Sequence, residues 1–553
     1  MRSRSHLPFS ILLLIALVAA GLWWFGVLGG GHGTGRPQGR ITISKETTFI
    51  TEPLREDGYV DYLAAINQSA ADGVSAEDNA AVALLEVVGP ADVNPKVRDR
   101  FYALLGTVPL PEKGEYFVPF GSRFPPAVEK IGDDTDDGER QRRFYEQPDR
   151  GMERPWSKEE FPALAEWLAE NDKPLDRAVR ATRRPRCYLP LVCVDSSQPL
   201  VFAHQPCLYQ WSDLSRALVV RAMFRLQAGR TEEARSDLMA CHRMARLIGQ
   251  APTAISALTA LNIDARACCG HAVLAHHGRL TAQQATRWAD EISSLPCPVQ
   301  WTEVWDRTGR FEPLESIAWM SRTNPDQWSG REDPGTRGAL DALAAALAGK
   351  LVDWDEALRI VNAWQDRLVQ AASNPEDAER AAALQQVEVE LRAMAKTLPR
   401  DFPNFAGSFA SGSSPRRVLG ELLGQGLAFL TLDLELEQLR RAKRWEVSPK
   451  LACIALTLAA YRADHGDYPV TLDDLRPTYM AAVPLDPFSG KPLQFRCDGK
   501  DYTLYSVGPD GRDDGGRSGS YPDPNRIFPD AVVEYDDIAI RTSPAVESER
   551  KQP

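Results

Sequence analysis

The chain has 553 residues, of which 43% are hydrophobic, so its length allows three or four domains with sizeable cores. Its formal net charge is −12, and no stretch concentrates Lys and Arg among aromatic residues. Phosphate backbones are bound by clustered cations, so we expect no nucleic-acid partner. The nine cysteines are too few for a disulfide scaffold in a chain of this length.

The segment 7–30 carries no charged residue and has about the length that a hydrocarbon core requires. Arg2 and Arg4 precede it, so the positive-inside rule places residues 1–6 in the cytoplasm and the body outside. The alternative is a cleaved signal peptide, for which 17–21 offers small residues, but the apolar run continues past that point. The sequence therefore predicts a single-pass protein of the cytoplasmic (inner) membrane.

A Gly-rich start indicates a tether at 31–55, and a mixed helical and loop-rich region follows at 56–210. Cys187, Cys193 and Cys207 lie in a Pro-rich part of that region. One disulfide bridge among them is an option for a protein outside the cytoplasm.

Residues 211–300 have the helical periods of an antiparallel hairpin domain. Gly229 suits the left-handed conformation after a helix, Thr231 suits the next N-cap, and Thr281 to Gln284 has capping-box spacing. The unit resembles a tetratricopeptide hairpin, but no regular second copy follows. A generic α-helical domain and a true helical repeat both remain open.

The rest of the chain divides by composition into segments of different character. The predicted fold class is mainly α with a C-terminal α+β module. In order, we predict a helical region, a linker, a connecting helix, a sheet-containing module and a disordered tail, at 301–398, 399–416, 417–447, 448–541 and 542–553.

The C-terminal module has the clearest local signals. Ser448 and Pro449 suit the cap and first turn of a helix that ends near Gly466. Strands are predicted where apolar residues alternate and turn residues flank them. They are 493–496, 502–507 and 538–540.

Four phrases in this module occur in a fixed order: Ala460–Pro469, Pro484–Pro487, Tyr502–Gly511 and Asp536–Ile538. Together they resemble the C-terminal domain of the type II secretion major pseudopilin (protein G). The resemblance implies a helix packed on a small antiparallel sheet, and a carboxylate-rich loop that binds calcium.

The loop residues are chemically suited to that ion, because Ca²⁺ prefers several oxygen ligands on a flexible loop. Gly508, Gly511, Gly515 and Gly516 would permit the tight turns. Without the resemblance, a solvated acidic loop would be the simpler interpretation. The candidate metal ligands are Asp510, Asp513, Asp514, Asp536 and Asp537.

The N-terminal segment departs from that family. It has no Glu, and no prepilin peptidase motif precedes it, so a filament subunit is not expected. The arrangement of anchor, helical body and pseudopilin-like end is similar to that of membrane-anchored planctomycete envelope proteins.

The sequence gives weaker support to the other candidate metal sites. Cys268, His271 and His276 do not share one helix face well, so ordinary helix positions are expected for them and for His277 and Cys269. The acidic loop at 133–137 lacks the remaining features of a calcium loop.

No nucleophile elbow, phosphate loop, zinc-protease motif or dinucleotide fingerprint occurs. Carboxylates such as Glu159, Glu160, Glu303 and Asp306 could serve an enzyme, but nothing singles them out. The sequence therefore predicts a non-catalytic envelope protein that acts through protein–protein interaction. The alternatives are an accessory component of a type II secretion-like system and an enzyme of unknown class.

Overall fold

The computed structural model describes residues 41–123, 142–323, 351–399, 408, 414–517 and 537–542, except for 196, 252 and 499. Among these residues, no helix is both long enough and apolar enough to cross a membrane. The predicted anchor at 7–30 and the acidic loop at 133–137 lie outside the described residues.

The N-terminal part of the body consists of short helices with clear local signals. Asp61 and Asn79 cap the first two through side-chain oxygens that accept backbone N–H groups of the first turn. The third ends at Gly106 in the left-handed conformation. These helices are α1 (Tyr62–Ala71), α2 (Ala80–Val88), α3 (Arg98–Leu105), α4 (Gln147–Glu153), α5 (Pro162–Glu170) and α6 (Asp172–Ala181).

Four longer helices form the predicted antiparallel array. Gly229 has φ +72°, as expected, and Thr281 forms the predicted capping box with Gln284. The predicted cap at Thr231 is wrong, because Arg230 holds the N-cap position and Thr231 is the first helical residue. The four are α7 (Leu208–Gln227), α8 (Thr231–Ile248), α9 (Ala254–His277) and α10 (Ala282–Ser293).

A third group of helices completes the body. Its first two members are joined by a π-helical turn at Trp305–Gly309. The group comprises α11 (Trp301–Val304), α12 (Arg310–Arg322), α13 (Trp354–Ala372), α14 (Asp377–Thr397) and α15 (Pro415–His465).

The helix α15 does not begin at Ser448, so that prediction is wrong. It runs for 51 residues from a cap at Ser414, and Pro449 lies inside it. The described part of the body has two apolar cores, and α15 belongs to both. Val418 to Ala428 pack in the core that contains α1, α12 and α13, and Leu432 onward pack in the larger core.

The C-terminal end carries a small antiparallel sheet, which confirms the mainly α class with a C-terminal sheet. The strands β1 (Gln494–Cys497), β2 (Tyr502–Ser506) and β3 (Ile538–Arg541) lie in the order β1-β2-β3. Leu504 pairs with Phe495 on one side and Ile540 on the other. The sheet packs on the end of α15 and shares the larger core with the helical body.

Candidate functional site

The predicted calcium loop leaves the sheet at the end of β2 and is held there by a buried carboxylate. Asp486 is 1% exposed. Its oxygens accept hydrogen bonds from the Ser506 hydroxyl at 2.8 Å and the Val507 N–H at 3.0 Å. The same carboxylate accepts the N–H of Phe488. Asp486 therefore fixes the start of the loop, a role that the sequence did not reveal.

Two glycines in the described part of the loop donate backbone hydrogen bonds to its carboxylates. Gly515 and Gly516 have φ values of +76° and +78°, a region that residues with a Cβ rarely adopt. The N–H of Gly515 donates to Asp513 Oδ1 at 2.9 Å, and the N–H of Gly516 donates to Asp537 Oδ2 at 2.7 Å. The turn thus orients two of the predicted ligands.

Asp537 is the most buried of the predicted ligands, with 1% exposure. Its Oδ1 and the Oδ2 of Asp514 are both buried and have no hydrogen-bond partner among the described residues. Buried oxygens of this kind are costly unless a partner or a cation satisfies them. Burial raises the pKa of Asp537 to about 6, repulsion by Asp514 and Asp513 adds to the rise, and the Gly516 N–H opposes it.

The other predicted ligands are placed differently. Asp513 is half-exposed and also accepts the Tyr505 hydroxyl at 2.8 Å. Asp510 lies exposed in the preceding turn, where its Oδ1 accepts the N–H of Arg512 at 2.8 Å. Asp536 lies outside the described residues.

The described carboxylates of the loop do not form a closed cage. No three of them bring ligand oxygens within 4.8 Å of one another; the set that meets this distance within the described residues is His242, Asp264 and Cys268. A Ca²⁺ ion, with ligands at about 2.3–2.6 Å, would complete its shell with backbone carbonyls, water and a small closure of the loop.

The other histidines and cysteines mostly hold structural positions. His276 Nδ1 lies 2.9 Å from the Tyr468 hydroxyl, which ties α9 to the C-terminal module. All nine cysteines are described and free, so the disulfide considered for Cys187, Cys193 and Cys207 is not formed. Each of these three is buried, and the Cys193 thiol donates to a backbone carbonyl instead.

A cleft of about 500 Å³ lies between residues 54–63, which lead into α1, and α12. Glu315 is 4% exposed at its wall and accepts the Leu200 N–H at 3.0 Å and Arg322 at 2.8 Å. The carboxylates considered for an enzyme do not line it; Asp306, for example, pairs with Arg310. The lining residues are Leu54, Arg55, Glu56, Asp57, Asp61, Tyr62, Leu63, Arg100, Cys193, Gln198, Leu200 and Glu315.

Comparison with protein-family models, with curated proteins and with solved structures finds no match to this chain. The resemblance to the pseudopilin C-terminal domain therefore stays a prediction.

Proposed function

We propose that this chain is a non-catalytic, membrane-anchored protein of the cell envelope that binds Ca²⁺ through its C-terminal loop and acts by protein–protein interaction. The observation that supports the calcium part is a pair of buried oxygens, Asp514 Oδ2 and Asp537 Oδ1, which have no hydrogen-bond partner within the part of the chain that the structure describes. The membrane part rests on the sequence of 7–30 alone.

A divalent cation would relieve the electrostatic cost of this loop. Asp537 is raised in pKa by burial and by two neighbouring carboxylates, so its ionised form is disfavoured when no cation is bound. Oxygen ligands from carboxylates select hard cations over transition metals. Mg²⁺ requires a stricter octahedral shell and gives up its water reluctantly, so an irregular loop favours Ca²⁺.

The test is thermal unfolding of the full chain in detergent micelles after treatment with a chelator. We expect Ca²⁺ to raise the midpoint, because a ligand that binds only the folded state adds about 2.7 kcal/mol at a hundred times its Kd. Mg²⁺ at the same concentration should shift the midpoint much less. Asp537→Asn should abolish the calcium-dependent shift.

The matched control is Asp467→Asn, which neutralises an exposed acid in the same module and should keep the full shift. Loss of folding does not confuse the result, since Asp537→Asn removes a buried repulsion and should leave the calcium-free protein at least as stable. A wild-type midpoint that ignores Ca²⁺, or a shift that persists in Asp537→Asn, would refute the calcium part.

Binding of a small molecule is the second candidate function, and the cleft beside Glu315 is the observation that favours it. The buried carboxylate and the Arg side chains of that cleft are the polar groups that would orient such a ligand.

For the interaction part, crosslinking of the full chain in its own envelope distinguishes secretion-system subunits from other partners.

A further inference from the structure

Three polar side chains form a chain of hydrogen bonds between α9 and the C-terminal module. His276 lies in the last turn of α9, Arg462 lies in the last turn of α15, and Tyr468 follows that helix. The Arg462 guanidinium donates to the Tyr468 hydroxyl at 2.6 Å, and that hydroxyl lies 2.9 Å from His276 Nδ1. Arg462 also donates through Nη2 to the His276 carbonyl at 2.6 Å, so it holds the backbone of the helix end as well.

The direction of each hydrogen bond follows from what the groups can donate and accept. A guanidinium can only donate, so the Tyr468 oxygen accepts from Arg462 and the hydroxyl proton is left to be donated. The acceptor within reach of that proton is Nδ1 of His276. Arg462 Nη1, a second donor, lies 3.4 Å from the same nitrogen. The arrangement therefore requires a neutral imidazole that keeps a lone pair on Nδ1 and its proton on Nε2.

The charges around His276 mostly oppose a positive ring. Its ring centroid is 4.6 Å from that of His277, and the cation of Arg462 lies on its other side, 4.7 Å from the Tyr468 centroid. The pKa of His276 is lowered from 6.5 to about 4, mainly by burial and further by His277 and Arg462, while Asp501 opposes the shift. Burial and Arg462 also lower the pKa of His277.

The same chain reaches the sheet through Tyr468. Its ring lies nearly parallel to that of His276, with centroids 6.2 Å apart, and meets the Tyr502 ring of β2 edge-on at 4.8 Å. Tyr468 is 5% exposed and Tyr502 is 3% exposed. Tyr502 and Cys497 are further titratable groups beside Tyr468, but phenols and thiols stay neutral in mild acid. A change in charge at this junction in mild acid therefore involves the imidazoles.

We infer that this junction is an acid-sensitive contact, in which protonation of His276 removes the acceptor of the Tyr468 hydroxyl and places a second cation beside Arg462. The C-terminal module is then held less firmly to the helical body as pH falls. Because the folded pKa of His276 lies below the ordinary 6.5, the unfolded chain binds the proton more tightly. The loss of stability begins as pH falls through about 6.5 and is complete below about 4.

The test is urea unfolding of the chelator-treated full chain in detergent micelles at pH 7 and at pH 5. The two pKa values predict that His276 raises the unfolding equilibrium constant by about 20-fold between these conditions. His276→Asn keeps an acceptor near the position of Nδ1 but cannot be protonated, so its constant should rise about 20-fold less than that of the wild type. The matched control His465→Asn changes an exposed histidine in the last turn of α15 and should keep the wild-type pH dependence.

A second variant covers the case in which His276→Asn fails to fold. Tyr468→Phe keeps the ring that packs against Tyr502 and removes the hydroxyl that donates to the neutral imidazole. It should lower stability more at pH 7 than at pH 5, whereas a purely structural role would lower it equally at both.

The inference is overturned if His276→Asn keeps the wild-type pH dependence, or if Tyr468→Phe loses the same stability at both pH values. Asp537→Asn, added to the wild type and to each variant, should leave these differences unchanged. The acid-sensitive contact and the calcium site therefore fail or succeed separately.

Discussion

Glu435 is a carboxylate in the interior of the described structure, where it is 6% exposed in the middle of α15. Gln365 Nε2 lies 3.2 Å from each of its oxygens and also donates to the Trp305 carbonyl at 3.0 Å in the π-helical turn. A Cβ at Gly309 would lie 2.2 Å from Glu435 Oε1, so a side chain there would displace this carboxylate from its present position. Burial raises the pKa of Glu435 to about 8, Glu312 adds to the rise, and Gln365 opposes it.

The raised pKa makes stability depend on pH. Because the folded pKa exceeds the usual value of 4.5, protonation of Glu435 stabilises the fold fully below about pH 4.5. This contribution falls by about 1.4 kcal/mol per pH unit as pH rises and is lost once pH passes about 8. In urea unfolding between pH 6 and pH 9, Glu435→Gln should therefore lose less stability than the wild type.

The control for this prediction is Glu437→Gln, which changes a half-exposed carboxylate on the same helix. It should follow the wild-type pH dependence. A wild-type slope that Glu435→Gln leaves unaltered would show that other groups cause it.

Local residue signals were predictable where the chemistry lies within a few residues. The glycines of the predicted calcium loop and the capping box at Thr281 are examples, since backbone conformation and nearby oxygens determine them. The contact of His242 with Asp264 spans 22 residues and depends on how two helices pack, so no spacing rule revealed it. The polar positions Asp264, Cys268 and His271 at helical spacing were the available signal.

At the scale of the element, α15 shows why its start was misplaced. Ser448 and Pro449 form a favourable N-terminal pair, and a proline inside a helix costs about 3 kcal/mol. Val447, Leu451 and Ala452 are nevertheless at most 2% exposed on the continuous helix. Burial at roughly 1.5–3 kcal/mol for each large apolar side chain outweighs the local preference.

Close packing of α15 against α13 gives a prediction at this scale. Gly420 and Gly424 are four residues apart, and a Cβ at Gly420 would lie 2.3 Å from the backbone oxygen of Asp353. Gly420→Ala should therefore force the two helices apart and lower the free energy of unfolding by about 1–3 kcal/mol, measured with urea.

Gly270→Ala is the informative comparison, because its nearest contact is the Leu238 side chain rather than backbone. The loss of stability in Gly270→Ala/Leu238→Ala should be smaller than the sum of the two single losses, because Leu238→Ala removes the clashing side chain. No side-chain truncation relieves Gly420→Ala in this way. Wild-type stability in Gly420→Ala would show that the helices adjust freely.

On the scale of the whole molecule, the mainly helical class and the presence of a C-terminal sheet were accessible from periodicity and turn residues. The packing of the C-terminal module against the helical body was not accessible in this way. The C-terminal module contributes Tyr468, Leu475 and Leu504 to the same core as the helical body. Such contacts are long-range, and the composition change near residue 448 gave no indication of them.

The shared core predicts that the module and the body unfold together. All thirteen tryptophans precede residue 446, so their fluorescence reports on the part of the chain before the C-terminal sheet. We expect Ca²⁺ to shift the fluorescence-detected unfolding midpoint of the full chain by as much as the midpoint from circular dichroism. Two separate transitions, with only the one lacking tryptophan responding to Ca²⁺, would contradict this.

The length of α15 also sets the distance between the start of this helix and the C-terminal module. Ile41, the first described residue, packs in the same core as Val418 and Leu419 at the start of this helix. The helix then rises by about 1.5 Å per residue over its 51 residues, which amounts to about 75 Å. The predicted anchor at 7–30 is separated from Ile41 by ten residues of the predicted tether. We therefore expect the calcium loop to lie about one helix length from the tethered end of the body, where a partner would meet it away from the bilayer.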